Sequence, residues 1–252
     1  MLWYSFFRII PLAFRQSIYA DGNWCAPVTG HALRVTINSY SVLDYLPRLT
    51  GFKAQAENTA LILVNNTPHT NIHMQALDYT PVLNSTNYGL SPFAKEMSYH
   101  TSAAAIIRLA NWFDFLKAED VYDNTRIIIV ADHGPVSTYT VRNALPYDVD
   151  FVADYNPVLF IKDFYSGGSM NTDTSFMTNA DTPSFSLKGI IDNPVNPFTG
   201  NPINMNRKDE PQYILIGRVY DKDKYLIDLN PKRDYFVHNN IFEMKNWISA
   251  YK

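Results

Sequence analysis

At 252 residues the chain exceeds the usual domain of roughly 100 to 150 residues, yet one α/β domain of this length is ordinary and is the default expectation. Hydrophobic residues make up 46% and charged residues 18%, with 17 Tyr and 15 Phe, which excludes wholesale disorder. A net charge of -3 with Lys and Arg scattered singly offers no basic stripe for a phosphate backbone, so nucleic acid is not an expected partner.

Cys25 is the single cysteine, which rules out an intrachain disulfide and a thiolate metal cluster. The opening MLWYSFFRIIPLAFRQSIYA has the aromatic richness of a signal peptide, but Arg8 and Pro11 interrupt its apolar run and no small-x-small cleavage site follows. It also falls short of the ~20 apolar residues of a membrane helix and carries two arginines. Residues 1–54 are therefore expected to form a packed, aromatic-rich lead-in, or one end of a longer chain, with no export signal of their own.

Thr59 to Asn65, TALILVN, reads as a short buried strand, and it is followed by NNTPHTN. Residues 66 to 96, rich in Asn, Thr, Pro and Ser, are too long for a turn and have the length of a functional loop. Ser98 to Ala118 places Ile106, Leu109, Ala110, Phe113 and Leu116 at helical spacing, with Ile107 and Trp112 widening the stripe. Next comes RIIIVADHG, Arg126 to Gly134, in which a continuous apolar strand ends on an acid, an imidazole and a glycine. A helix feeding such a strand points to a mostly parallel sheet sandwiched by helices, and NPVLFIK from Asn156 supplies another strand of the same kind. Asp181 and Pro183 mark the start of a short helix, YILIGRVYD and KYLIDL form a C-terminal antiparallel hairpin, and a last helix is expected from Asn240 to Ala250.

In open α/β sheets, ligands bind beyond the carboxyl ends of strands, where the loops diverge. One strand here ends in Asp132 and His133, and another reaches His69 within a few residues. A carboxylate oxygen and a neutral imidazole nitrogen suit zinc or manganese, and adjacent placement can aim both at one ion. Asp-His-Gly is also an ordinary turn sequence, in which Asp132 bonds to the backbone and Gly134 relaxes the geometry. A Pro-His-Thr loop histidine such as His69 is commonly solvated, and His73, His100 and His238 have no evident partner.

The ordered set RIIIVADHG after a helix ending WFDFLKAEDVYDNT, then NPVLFIKDF, then NADTPSFSLKGII, resembles the C-terminal half of sulfatase-like enzymes of the alkaline phosphatase superfamily. Within that superfamily it resembles the lipoteichoic acid synthase and phosphoethanolamine transferase type. The resemblance spans roughly residues 55 to 195 and leaves 196–252 as a C-terminal hairpin and helix. It implies that Asp132 and His133 ligate a divalent metal (manganese, zinc, magnesium or calcium). It further implies that His69 stabilises the transferred group, and that a side-chain oxygen attacks the phosphorus or sulfur of an ester, lipid and glycan esters among them. CAPVTG around Cys25 lacks the Ser and Arg of the sulfatase cysteine motif, so Cys25 is expected to be structural.

The family's acidic ligand and its Thr, Ser or modified Cys nucleophile precede the matched region, yet residues 1–20 contain no Asp or Glu. Thr67 and Thr70 sit beside His69 and are poor substitutes. The expectation is a chain carrying the C-terminal half of the site, within a membrane-anchored parent whose catalytic domain faces outside the cytoplasm. The competing expectation is a catalytically inactive sulfatase-like module that binds a glycan or partner at the cell envelope.

Overall fold

The computed structural model describes residues 7–19, 31–52, 58–69, 72–134, 152–204, 210–214, 219–221, 226–228 and 234–250. The chain has mixed α/β character and divides into two compact units, Met1–Tyr122 and Asp123–Lys252. Cys25, Thr70 and the turn of the expected hairpin lie outside the described residues.

The first unit carries α1 (Leu12–Tyr19), α2 (His31–Leu49) and α3 (Met97–Ala118). α3 occupies the expected span, but its buried face is His100, Thr101, Ala104, Ala105 and Leu116, whereas Ile106 is 45% exposed. The apolar stripe is thus rotated from the expected one. The small side chain of Ala105 leaves room for Leu43 and Leu46 of α2, which pack there with Leu109 and Trp112. α2 had no clear sequence signal, because β-branched Val35, Thr36 and Ile37 weaken helix propensity. Its buried Thr36, Tyr40, Leu43 and Leu46 nevertheless recur at spacings of four, three and three residues, which is one face of a helix.

Arg108 on α3 joins three segments of this unit. Its Nε donates to the Tyr40 hydroxyl at 2.8 Å and lies 3.1 Å from Asp44 Oδ1, while Nη2 donates to the Asp78 carbonyl at 3.1 Å. Burial raises the Tyr40 phenol above its ordinary pKa, and the Arg108 charge works against that rise.

From residue 72 the polar segment is folded rather than loose. β1 (Met74–Gln75) pairs antiparallel with β2 (Thr80–Pro81), and Met74, Ala76 and Tyr79 enter one core cluster with Tyr40 and Ala104. Ser85 Oγ donates to the Met74 carbonyl at 2.9 Å and Asn87 Nδ2 to the Ala76 carbonyl at 3.2 Å. His100, which has no evident partner in sequence, is buried with its ring near Tyr79, Tyr88 and Tyr99, and its Nε2 donates to the Ala94 carbonyl at 2.7 Å.

TALILVN does not form the expected buried strand. Leu61, Ile62 and Val64 are 70%, 89% and 82% exposed, and among the described residues no strand pairs with them. An apolar run becomes a buried strand only where neighbouring backbone supplies ladder hydrogen bonds and side chains cover its faces.

In the second unit β3 (Ile127–Val130) pairs with β4 (Leu159–Lys162) in the register Ile127↔Lys162 to Val130↔Leu159. The pairing is antiparallel, contrary to expectation, and so is every strand pairing among the described residues. Continuous hydrophobicity reports expected burial and carries no strand direction; here Val130, Phe160 and Ile161 remain about two-fifths exposed. A 3-10 turn, Asn179–Asp181, leads into α4 (Thr182–Leu187), with Pro183 in its first turn as expected.

The rest of the unit contains β5 (Gln212–Ile214), β6 (Val219–Asp221), β7 (Leu226–Asp228), β8 (Tyr235–Val237) and β9 (Trp247–Ser249). The expected antiparallel hairpin forms over β6 and β7, whereas Tyr213 and Ile214 of its first stretch belong to β5, which pairs with β8; β8 lies between β5 and β9. The last helix expected over residues 240 to 250 is instead a 3-10 turn, Met244–Asn246, running into β9. Trp247 drives this outcome: it packs with Val152 and Val237, and its indole donates to the Ile241 carbonyl at 2.6 Å.

Leu43 is 2% exposed at the contact between α2 and α3. Leu43→Ala is expected to cost about 3 kcal/mol in urea unfolding, from lost burial and the cavity left behind. A cost below about 1 kcal/mol would show that the two helices do not pack through this residue.

Candidate metal centre

Beyond the last β3–β4 pair, the chain stays fastened at both ends of the Ala-Asp-His-Gly segment. Ala131 N donates to the Val158 carbonyl at 3.0 Å, and Gly134 N donates to the Asp154 carbonyl at 2.8 Å. Between them Asp132 Oδ1 accepts from His133 N at 3.1 Å, so the backbone bond expected of a turn aspartate is present.

His133 Nδ1 lies 2.6 Å from the Gly134 carbonyl. A carbonyl only accepts, so Nδ1 donates, and in the neutral ring Nε2 keeps its lone pair. A backbone bond to one ring nitrogen is the arrangement that orients the imidazole in metal sites generally. His133 Nε2 stands 3.9 Å from Asp132 Oδ1, and the two side chains are 50% and 91% exposed. Ligand bonds of about 2.0 to 2.2 Å place donors at that separation within reach of one ion, and the exposed carboxylate is free to turn towards it. The residues fit two positions of a divalent metal site. Among the described residues no group of three or more His, Cys, Asp or Glu side chains converges.

Beside the pair lies an open cavity of about 590 Å³, lined by Val130, Ala131 and Asp132 on one side and by Thr182, Pro183 and Leu187 on the other. Two polar contacts join α4 and its leading turn to β3. At the start of the strand, Arg126 Nε and Nη2 donate to Asp163 Oδ1 at 2.9 and 2.7 Å, and Nη1 donates to the Ser186 carbonyl at 3.0 Å. The guanidinium also stands 4.4 Å from the Phe164 ring centroid. At the far end, Asn179 Nδ2 donates to the Ala131 carbonyl at 2.8 Å and the Asp132 carbonyl at 3.3 Å.

Neither Arg126 nor Asn179 was singled out from sequence. The turn that carries Asn179 is capped by its neighbours: Thr178 N donates to Asp181 Oδ2 at 2.8 Å, and Asp181 is buried.

His69 belongs to the first unit, on an exposed turn closed by its own N donating to the Asn66 carbonyl at 3.1 Å. Among the described residues its ring makes no hydrogen bond. Thr67 on the same turn is fully buried, which removes its hydroxyl from solvent and from any role as an accessible nucleophile.

No protein-family model, no curated protein and no solved structure matches this chain.

The Arg126 hydrogen bond, helped by the Phe164 backbone N–H, holds the Asp163 carboxyl below the usual carboxylate range. A depressed folded-state pKa gives stability that is present above the unfolded value of about 4 and is lost as pH falls through the folded value. Arg126→Met is expected to cost about 2 kcal/mol at pH 7, a figure reduced because Asp163 is 43% exposed. The gap from wild type should narrow as urea unfolding is repeated below about pH 4. A gap independent of pH would show that the ion pair contributes nothing.

Proposed function

We propose that this chain carries part of the site of a metal-dependent, sulfatase-like hydrolase or transferase acting on phosphate or sulfate esters. The observation that carries the reading is the strand end itself. Asp132 and His133 project from a fastened segment, with the His133 ring oriented by the Gly134 carbonyl and a cavity alongside. The resemblance of RIIIVADHG and the segments after it to the alkaline phosphatase superfamily supports the same reading.

In this proposal Asp132 and His133 hold one divalent ion, manganese, zinc, magnesium or calcium. When bound, such an ion offsets negative charge that grows on the transferred group. Asp132 supplies an anionic oxygen and His133 a neutral nitrogen, a donor set that leaves net positive charge for an anionic ester. The cavity walls of Val130, Pro183 and Leu187 suit the organic part of the ester better than its charged head. The part given to His69, steadying the transferred phosphate or sulfate, rests on the resemblance alone, and the nucleophile would come from another segment. The larger, mostly parallel sheet, the membrane-anchored parent and the extracytoplasmic setting belong to the same proposal and rest on the resemblance.

The competing reading is an inactive module that keeps the fold and binds a glycan or partner. In its favour, only two candidate ligands meet among the described residues.

Metal content separates the two. Protein equilibrated with manganese or zinc and then freed of excess should retain about one ion per chain by mass spectrometry, and Asp132→Ala should lose it. A metal-free wild type, with stability unchanged by Asp132→Ala, would sink the enzymatic reading.

A further inference from the structure

The ladder between β3 and β4 stops at Val130↔Leu159, two residues before the first candidate ligand. From there the backbone amides of Ala131 and Gly134 are fastened, whereas the carbonyls of Ala131 and Asp132 both turn towards one side chain. That side chain is Asn179, whose Nδ2 reaches them at 2.8 and 3.3 Å. Fixing two successive carbonyl directions fixes the peptide between them, and with it the direction in which the Asp132 side chain leaves the backbone. The Asp132 carboxylate, 91% exposed, gains no comparable constraint from packing.

Asn179 is itself held in place. The 3-10 turn Asn179–Asp181 is closed by a reciprocal cap in which the Asp181 side chain accepts from Thr178 N, and Asp181 is buried. The residue type also matters. A carboxamide can donate to two carbonyl oxygens, whereas a carboxylate of the same shape would repel both.

We infer that Asn179 is a positioning residue for the metal site, clamping the Ala131 and Asp132 carbonyls so that the Asp132 carboxylate meets the ion together with His133 Nε2. This rests on the metal reading of Asp132 and His133. Its role is that of an outer-sphere partner, whose loss typically weakens metal affinity roughly tenfold or more.

Isothermal titration of the full chain with manganese or zinc alone tests the role, using wild type, Asn179→Ala and the isosteric Asn179→Asp. Thermal unfolding in EDTA serves as the fold control. The expected result is a dissociation constant raised roughly tenfold in both variants, with unchanged stoichiometry and, in Asn179→Ala, a metal-free melting temperature close to wild type. A purely structural Asn179 would lower the metal-free melting temperature and leave affinity in the folded protein untouched, and that result overturns the inference alone. A wild type that binds neither ion overturns the metal reading itself, and the inference with it.

Discussion

The placement of Asp132 and His133 depends on how a very short ladder is held. Four residue pairs join β3 to β4, and a two-stranded ribbon of that length is marginal in water. Polar contacts join it to α4 and its leading turn, from Arg126 at one end of β3 and from Asn179 beyond the other. The first contact crosses from a guanidinium that is 9% exposed to the Ser186 carbonyl, and the second reaches the backbone of the candidate ligand directly. Between the two contacts lies the cavity, whose lining includes Asp132 and Asn179.

This arrangement divides labour between covalent neighbours. His133 takes its orientation from its own chain, through Nδ1 and the Gly134 carbonyl, and needs no distant partner. Asp132 uses Oδ1 to accept from the next backbone N–H, which leaves its other oxygen and much of its surface open. A turn and a ligand pair are therefore compatible readings of Asp-His-Gly: the turn's hydrogen bonds are what would hold the donors ready.

Parts of this were legible in the sequence for definite reasons. α3 is long and strongly apolar, and its span was readable; its buried face was not, because Ala104 and Ala105 pack through small size rather than hydrophobic bulk. α2 stayed hidden behind β-branched residues, although its buried positions follow a helical period. An apolar run does not by itself become a buried strand of a parallel sheet. Residues 61 to 64 lie exposed without a partner strand among the described residues, and β3 and β4 pair antiparallel where a parallel sheet was expected. Segments of this kind report a need for burial, and the elements that meet the need are chosen elsewhere in the chain.

The candidate site shows the same division. Asp132 and His133 were readable because their chemistry is local, two metal-competent side chains at the end of an apolar strand. Asn179 was not, because its side chain donates across 47 residues to the Asp132 carbonyl, and an asparagine that opens a short turn looks the same in sequence whether or not it does so. His69 was paired with them through strand-end logic, but the residues before it form no strand, so that logic does not extend to it.

Anomalous diffraction from crystals soaked in manganese tests the central claim most directly. The account predicts a single strong peak about 2.0 to 2.3 Å from an Asp132 carboxylate oxygen and from His133 Nε2. A peak that avoids both residues, or none at a manganese concentration that saturates the protein in solution, would contradict it.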